Sequence, residues 1–272
     1  MNERQIPESD VVDRYVAGES AASLARAFSV NIWTILNRLR RNGVTIRSPA
    51  TQNARFLGDT GVRVDRLKVE EVLAGVLLGD GYLNPKGSLF LEQSVRRFGW
   101  LLKLQRDLDR IGCESRLIPL PAKTKWLSAE QRFIYGKEGA LLYTPCYQEF
   151  KEQRKRWYPD ARKVVPDGLK LTPTVVAHWF CGDGTCGPSG SLTLLTNSFT
   201  RAEVERLCQA LEIDLGVKAS TSKNGRDEHV LQILRRQEAV ALAGVIRPLM
   251  PKCCLYKLRF VRPLLRELRH EP

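Results

Sequence analysis

The sequence predicts an α+β fold, with two pseudo-symmetric αββαββ repeats behind a small all-α module. Three observations predict it. Residues 9–43 carry three short apolar patterns of helical period. From residue 67 onward, helical runs are interleaved with short alternating runs of strand type. The strand–helix body also occurs twice, with landmarks 103 or 104 residues apart.

The first module is placed at residues 1–47. Val11, Val12, Tyr15 and Val16 give one apolar face, and Gly18 breaks it. Ser20 is a candidate cap for a second helix, with Ala21, Leu24, Ala25 and Phe28 on its inner face. After a turn at Ser29 and Val30, Ile32, Ile35, Leu36 and Leu39 mark a third helix that stops before Gly43. The pattern resembles a helix-turn-helix. On that reading the third helix enters a major groove, with Asn31, Thr34, Asn37, Arg38 and Arg41 available to bases and phosphates. The alternative is a three-helix protein-contact module. Residues 48–66, with Pro49, Gly58 and Gly61, read as a linker, and Arg47, Arg55 and Arg63 are candidates to track a phosphate backbone.

The two repeats are placed at 67–166 and 167–272. SLFLEQS (88–94) faces SLTLLTNS (191–198), aligned so that Ser94 meets Ser198 and Gln93 meets Asn197. Each run leads into a helical pattern closed by a glycine, Gly112 or Gly216. Upstream, GDGYL (79–83) faces GDGTC (182–186). Turn residues follow at Pro85 and Gly87 in one copy and in GPSG (187–190) in the other. Later strand candidates are 115–120, 132–136, 217–221 and 229–234. The two halves are expected to pair their sheets into one curved surface.

Composition limits the function. The 272 residues carry a formal charge of +13, which points to a polyanionic partner, most often nucleic acid. The excess is uneven: residues 1–60 contribute only a net +2. Seven cysteines show no CxxC spacing, and the three histidines are scattered, so neither a zinc site nor a disulfide framework is expected. No run approaches the eighteen apolar residues of a membrane span, and the first residues lack an apolar signal core, so a cytoplasmic protein is expected.

The chemistry gathers at the two GDG motifs. VLAGVLLGDG and VVAHWFCGDG are apolar helical runs that each end on an aspartate, Asp80 and Asp183. Ala74 matches Ala177 and Gly79 matches Gly182, while Gly75 has His178 opposite it. Small side chains let two helices approach closely and deliver both carboxylates to one end of their interface. Two adjacent carboxylates repel, and a divalent cation with oxygen ligands relieves that repulsion.

LAGVLLGDG (73–81) and VAHWFCGDG (176–184) resemble the paired signature helices of the LAGLIDADG homing endonucleases, and the resemblance covers about residues 67–262. It implies a single-chain pseudo-dimer, monomeric, whose sheets form a saddle over double-stranded DNA. It also implies that Asp80 and Asp183, with the backbone at Gly79 and Gly182, hold Mg2+ or another divalent cation such as Mn2+ for phosphodiester hydrolysis. Where the family often has a further acid, this chain has Leu78 and Cys181. His178 replaces a small residue and is expected to be packed or hydrogen-bonded rather than catalytic.

The resemblance further implies a polar residue and a lysine supporting each centre. Gln93 and Asn197 are the polar candidates. Lys163 and Lys252 are the lysines, because proline precedes each by four, and Lys257 is the rival in the second copy. Strand alternation offers Asn84, Lys86, Ser88, Phe90 and Glu92, and Thr193 and Thr196, for base contacts. The basic clusters at 151–163 and 247–272 are expected to touch phosphate. Competing readings are a non-cleaving DNA-binding regulator and an RNA maturase on the same scaffold.

Overall fold

The structure, a computed structural model, describes residues 7–17, 19, 21–46, 66–122, 124–127, 132–135, 138–224 and 228–261. Gly18, Ser20, Arg47, Arg55, Arg63 and the basic residues after 261 lie outside the described residues. The chain divides into two compact units, Met1–Gly58 and Asp59–Pro272.

In the first unit, helices α1 (Glu8–Val16), α2 (Ala21–Ala27) and α3 (Ile32–Arg41) enclose a small core. Val11, Tyr15, Leu24, Ile35 and Leu39 are its buried centre. Asn31 starts α3 as its N-cap, its side-chain oxygen accepting from the Trp33 backbone N–H at 2.9 Å. Ser29 takes φ 54° in the turn before it, and Gly43 takes φ 68° just past its end.

The second unit contains the repeats. The first runs α4 (Arg66–Leu77), β1 (Tyr82–Leu83), β2 (Leu89–Ser94), α5 (Phe98–Arg110), β3 (Arg116–Leu120), the hairpin β4 (Thr124–Leu127) and β5 (Arg132–Tyr135), β6 (Gly139–Tyr143) and α6 (Gln148–Trp157). The second runs α7 (Pro173–Asp183), β7 (Gly184–Cys186), β8 (Leu192–Leu195), α8 (Arg201–Leu215), β9 (Ser220–Lys223), β10 (His229–Ile233) and α9 (Arg236–Ile246). The sheets have the same antiparallel topology, β1-β2-β6-β3 and β7-β8-β10-β9. Two features go beyond the sequence reading. Each half closes with a third helix, and β6, not the run at 132–136, is the central strand. That run pairs only with β4, in a separate two-stranded sheet.

The ladders fix how the halves correspond. Tyr82 pairs with Phe90 in one half and Thr185 with Thr193 in the other, a constant offset of 103. The buried helix positions Leu101, Leu104 and Leu108 match Val204, Leu207 and Leu211 at that same offset. The extra residue therefore enters near the helix ends, before the left-handed Gly112 (φ 80°) and Gly216 (φ 67°). Aligning Ser94 with Ser198 placed it one strand too early. By the ladder, Thr196, not Asn197, is the counterpart of Gln93.

Helices α4 and α7 pack against each other at the centre of this unit. Residues 72–78 are buried without interruption, as are 175–182, which explains why neither of these stretches has a polar face. Thr172 caps α7, and its hydroxyl also bonds the Glu71 carboxylate of α4 at 2.5 Å. At Gly75 a β-carbon would lie 2.4 Å from the Val175 carbonyl oxygen and 2.7 Å from His178 Cβ. A small residue on one helix thus accommodates a large one on the other.

Candidate active site at the ends of the central helices

The close packing of α4 and α7 decides where the acids fall. A β-carbon at Gly79 would lie 3.3 Å from Asp183 Oδ2, and one at Gly182 would lie 3.9 Å from Asp80 Oδ2. Each aspartate therefore sits against the other helix's final glycine. Asp80 is exposed, and Asp183 is partly buried. Burial, and then the Asp80 charge, push the Asp183 carboxyl up to about 6, against the pull of Lys257, Lys163 and Arg97.

One lysine serves each helix end. Lys163 Nζ donates to the carbonyls of Gly79 (2.8 Å) and Gly81 (3.0 Å). Lys257 Nζ donates to those of Gly182 (2.6 Å) and Phe180 (3.3 Å). Burial lowers both ammonium groups to about 8. Lys252 opens the same 3-10 helix, Lys252–Leu258, with an exposed side chain. The second lysine at the helix end is thus Lys257. The four-residue spacing from proline points to Lys252, but the side chain that reaches the helix end is Lys257, five residues later in the same 3-10 helix.

The polar neighbours differ between the ends. Gln93 donates to Asp80 Oδ2 at 2.7 Å. Arg97, which sequence reasoning missed, donates to Gln93 Oε1 (3.1 Å) and the Gly182 carbonyl (3.3 Å), and stands 3.9 Å from Asp80. At the second end the 103-residue offset brings Thr196 and Thr200 to these places. Thr196 is buried and donates to the His229 carbonyl at 2.5 Å. Thr200 caps α8 in a reciprocal box with Glu203. Asn197 lies in the turn beyond β8, exposed. Arg97 follows Gln93 by four residues, across the end of β2 and the short 3-10 turn Val95–Arg97, a spacing that carries no signal in the sequence.

His178 is held inside the protein. Its Nδ1 accepts from Trp100 Nε1 at 3.1 Å, which leaves the proton on Nε2, 3.0 Å from Asp107 Oδ2. Burial lowers its affinity for a second proton. Lys103 and Arg110 complete the ring of donors around Asp107. All seven cysteines are free thiols.

Several base-contact candidates face elsewhere. Ser88 is fully buried against the Cys146 thiol, and Thr196 is committed as above, so neither reaches the outer sheet face. Asn84 uses its side-chain oxygen to receive the N–H groups of Lys86 and Ser88, which shapes the β1–β2 turn. Lys86 and Glu92 are exposed, and Phe90 and Thr193 are half-exposed on the outer face. In the basic cluster, Arg154 bonds the Leu83 carbonyl, Arg156 pairs with Glu70, and Arg162 pairs with Glu203. These arginines fasten structure rather than waiting for phosphate. In the first unit Asn31 is spent on its cap, Arg38 stands 4.0 Å from Glu8, and Asn37 accepts from Arg40. Thr34 is half-buried and Arg41 exposed. Trp33, with the Arg40 guanidinium over its ring at 5.9 Å, is the exposed feature that the sequence reading passed over.

Among the described residues no group of three or more His, Cys, Asp or Glu side chains is placed to hold a metal, and no helix is long and apolar enough to cross a membrane. The oxygen donors left for a metal are the two carboxylates, because the carbonyls of Gly79 and Gly182, expected as further ligands, already accept from Lys163 and Lys257.

Known proteins are similar to this chain. An uncharacterised protein of Methanocaldococcus jannaschii is 27% identical over 190 residues, 68% of this chain and 71% of its own. The cytochrome b mRNA maturase bI2 of Debaryomyces hansenii is 28% identical over 198 residues, 69% of this chain and 72% of its own. The homing endonuclease I-WcaI, solved bound to its DNA recognition sequence, superposes with a TM-score of 0.62 at 18% identity, covering 80% of this chain and 97% of that one. Residues 70–240, from the first signature helix into α9, match the LAGLIDADG DNA endonuclease family, and the chain belongs to that family.

Proposed function

We propose that this protein is a sequence-specific endonuclease that cuts both strands of DNA, using divalent metal held at Asp80 and Asp183. The observation that carries the reading is the apposition of these two acids at the touching ends of α4 and α7, each end clasped by a buried lysine. The donor set fits Mg2+. It is all oxygen, it is anionic, and with only two carboxylates it leaves room for water and phosphate oxygens. The raised carboxyl of Asp183 fits as well: burial raises it first and the Asp80 charge second, and a nearby cation would oppose both.

When bound, the metal would supply an activated water and stabilise the leaving oxygen. The chain's own groups do the rest. Asp80 and Asp183 bring negative charge to the helix ends. Gln93 fixes one Asp80 oxygen, and Arg97 holds Gln93 in place. Lys163 and Lys257, protonated at neutral pH, anchor the glycine carbonyls and offer positive charge to a nearby phosphate. The net charge of +13 supports a polyanionic substrate. The outer sheet faces would lie on the duplex, and Trp33, Arg40 and Arg41 of α3 would give the first unit a further DNA contact.

The test is digestion of a library of duplex sites with Mg2+ by the wild type and by the Asp80→Asn and Asp183→Asn proteins. Double-strand cutting by the wild type and single-strand nicking by each variant are expected. A wild type that binds a site and leaves both strands intact overturns the reading. A second reading, assistance to RNA splicing, is favoured by the likeness to the yeast maturase. It predicts splicing of a cognate intron that survives both substitutions.

A further inference from the structure

The outer faces of the two sheets are chemically unlike at matching positions. Cross-strand pairing sets out one row in the first sheet as Tyr82, Phe90, Tyr143 and Arg116. The equivalent row in the second sheet, 103 residues on at its first two positions, is Thr185, Thr193, Gln232 and Ser220. Tyr82 and Thr185 each follow their metal-site aspartate by two residues, so both rows begin beside a candidate cutting centre.

The first row is aromatic and built to stay in place. Phe90 and Tyr143 stack with centroids 6.2 Å apart and planes 15° from parallel. Tyr82, 44% exposed, is braced by Tyr158 at 5.8 Å and by the Arg154 guanidinium at 5.3 Å. The adjoining row, Glu92, Leu141 and Ile118, adds an isoleucine that is 40% exposed. A protein partner is the usual cover for such a face. Here the face begins at an anionic cutting centre, carries Arg116 at its far edge and belongs to a strongly basic chain, which favours nucleic acid. The apolar group that a major groove displays is the thymine methyl. The second row offers hydroxyls and one carboxamide, and a glutamine carboxamide matches adenine N6 and N7 with two hydrogen bonds.

Building on the endonuclease reading, we infer that the two halves of the target are read by different chemistries. The first sheet recognises thymine methyls. The second recognises hydrogen-bonding base edges, with Gln232 preferring adenine.

The test uses the full-length wild-type protein in EDTA, selecting from a randomised duplex library. Thymines in the selected site are then replaced singly by uracil, which removes the methyl and nothing else. Uracil is expected to weaken binding about fourfold per contacted position, the worth of one buried methyl, in one half of the site and not in the other. Phe90→Ser, checked for unchanged melting, should abolish that sensitivity, and Gln232→Ala should erase an adenine preference in the opposite half. A selected site whose halves respond alike to uracil, or not at all, overturns the inference and leaves the endonuclease reading standing. Failure to enrich any duplex sequence overturns both.

Discussion

Lys163 and Lys257 hold equivalent helix ends from unequal places in the chain, one in a loop and one in a 3-10 helix. Replacing Lys257 with methionine is expected to slow cleavage about a hundredfold, the usual cost of losing one electrostatic group at a reacting phosphate. Lys252→Met should leave the rate unchanged. Single-turnover rates with parallel affinity measurements check both. Asp183 gives a pH signature. Its carboxyl titrates near 6 in the folded chain and near 4 when unfolded, so folding favours the protonated form. The Asp183 contribution to the stability of the metal-free protein should therefore be fullest below pH 4 and fall by about 1–2 kcal/mol as pH rises to 6, discounted because solvent reaches part of the group. Melting curves in EDTA should show Asp183→Asn without that loss. Asp80 and Asp183 were legible in the sequence because a charge closing a long apolar run has few benign explanations. Lys257 and Arg97 were not settled there, since their roles depend on which backbone carbonyls and carboxylate lie within reach across other elements.

Among the elements, the α4–α7 pair was legible from its apolar runs and small residues. Strand β6 was not, because Gly139 and Ala140 weaken its local preference, and its place is fixed by neighbours on both sides. The correspondence between halves shows a similar limit. Matching letters aligned Ser94 with Ser198, whereas hydrogen-bond register and buried helix positions agree on 103. Gly75→Ala tests the helix contact. The methyl gains about 1 kcal/mol of helix propensity, but it strikes the Val175 carbonyl, which cannot step aside without moving α7. A net loss of about 2 kcal/mol is expected, measurable by denaturant unfolding. His178 shows why a large residue is stable at this contact: both ring nitrogens have partners, so its burial leaves no polar atom unsatisfied.

At the scale of the molecule, near-symmetry was legible and its breakdown was not. The Asp80 centre has Gln93 and Arg97 beside it, while the corresponding threonines at the Asp183 centre are spent on a strand carbonyl and a helix cap. Cleavage should therefore proceed through a nicked duplex, with the strand served by Asp80 cut first. Quench-flow analysis with each strand labelled separately should show one nicked species accumulating, and Gln93→Thr should diminish it. The contact between Gly75 and His178 has a consequence for how the two repeats can pair. A hypothetical homodimer of the first repeat would set glycine against glycine and leave a void. One made from the second would force two imidazoles into the space of one. The repeats are thus matched to each other and not to themselves: if the chain were divided between them, the pieces would be expected to pair as a heterodimer.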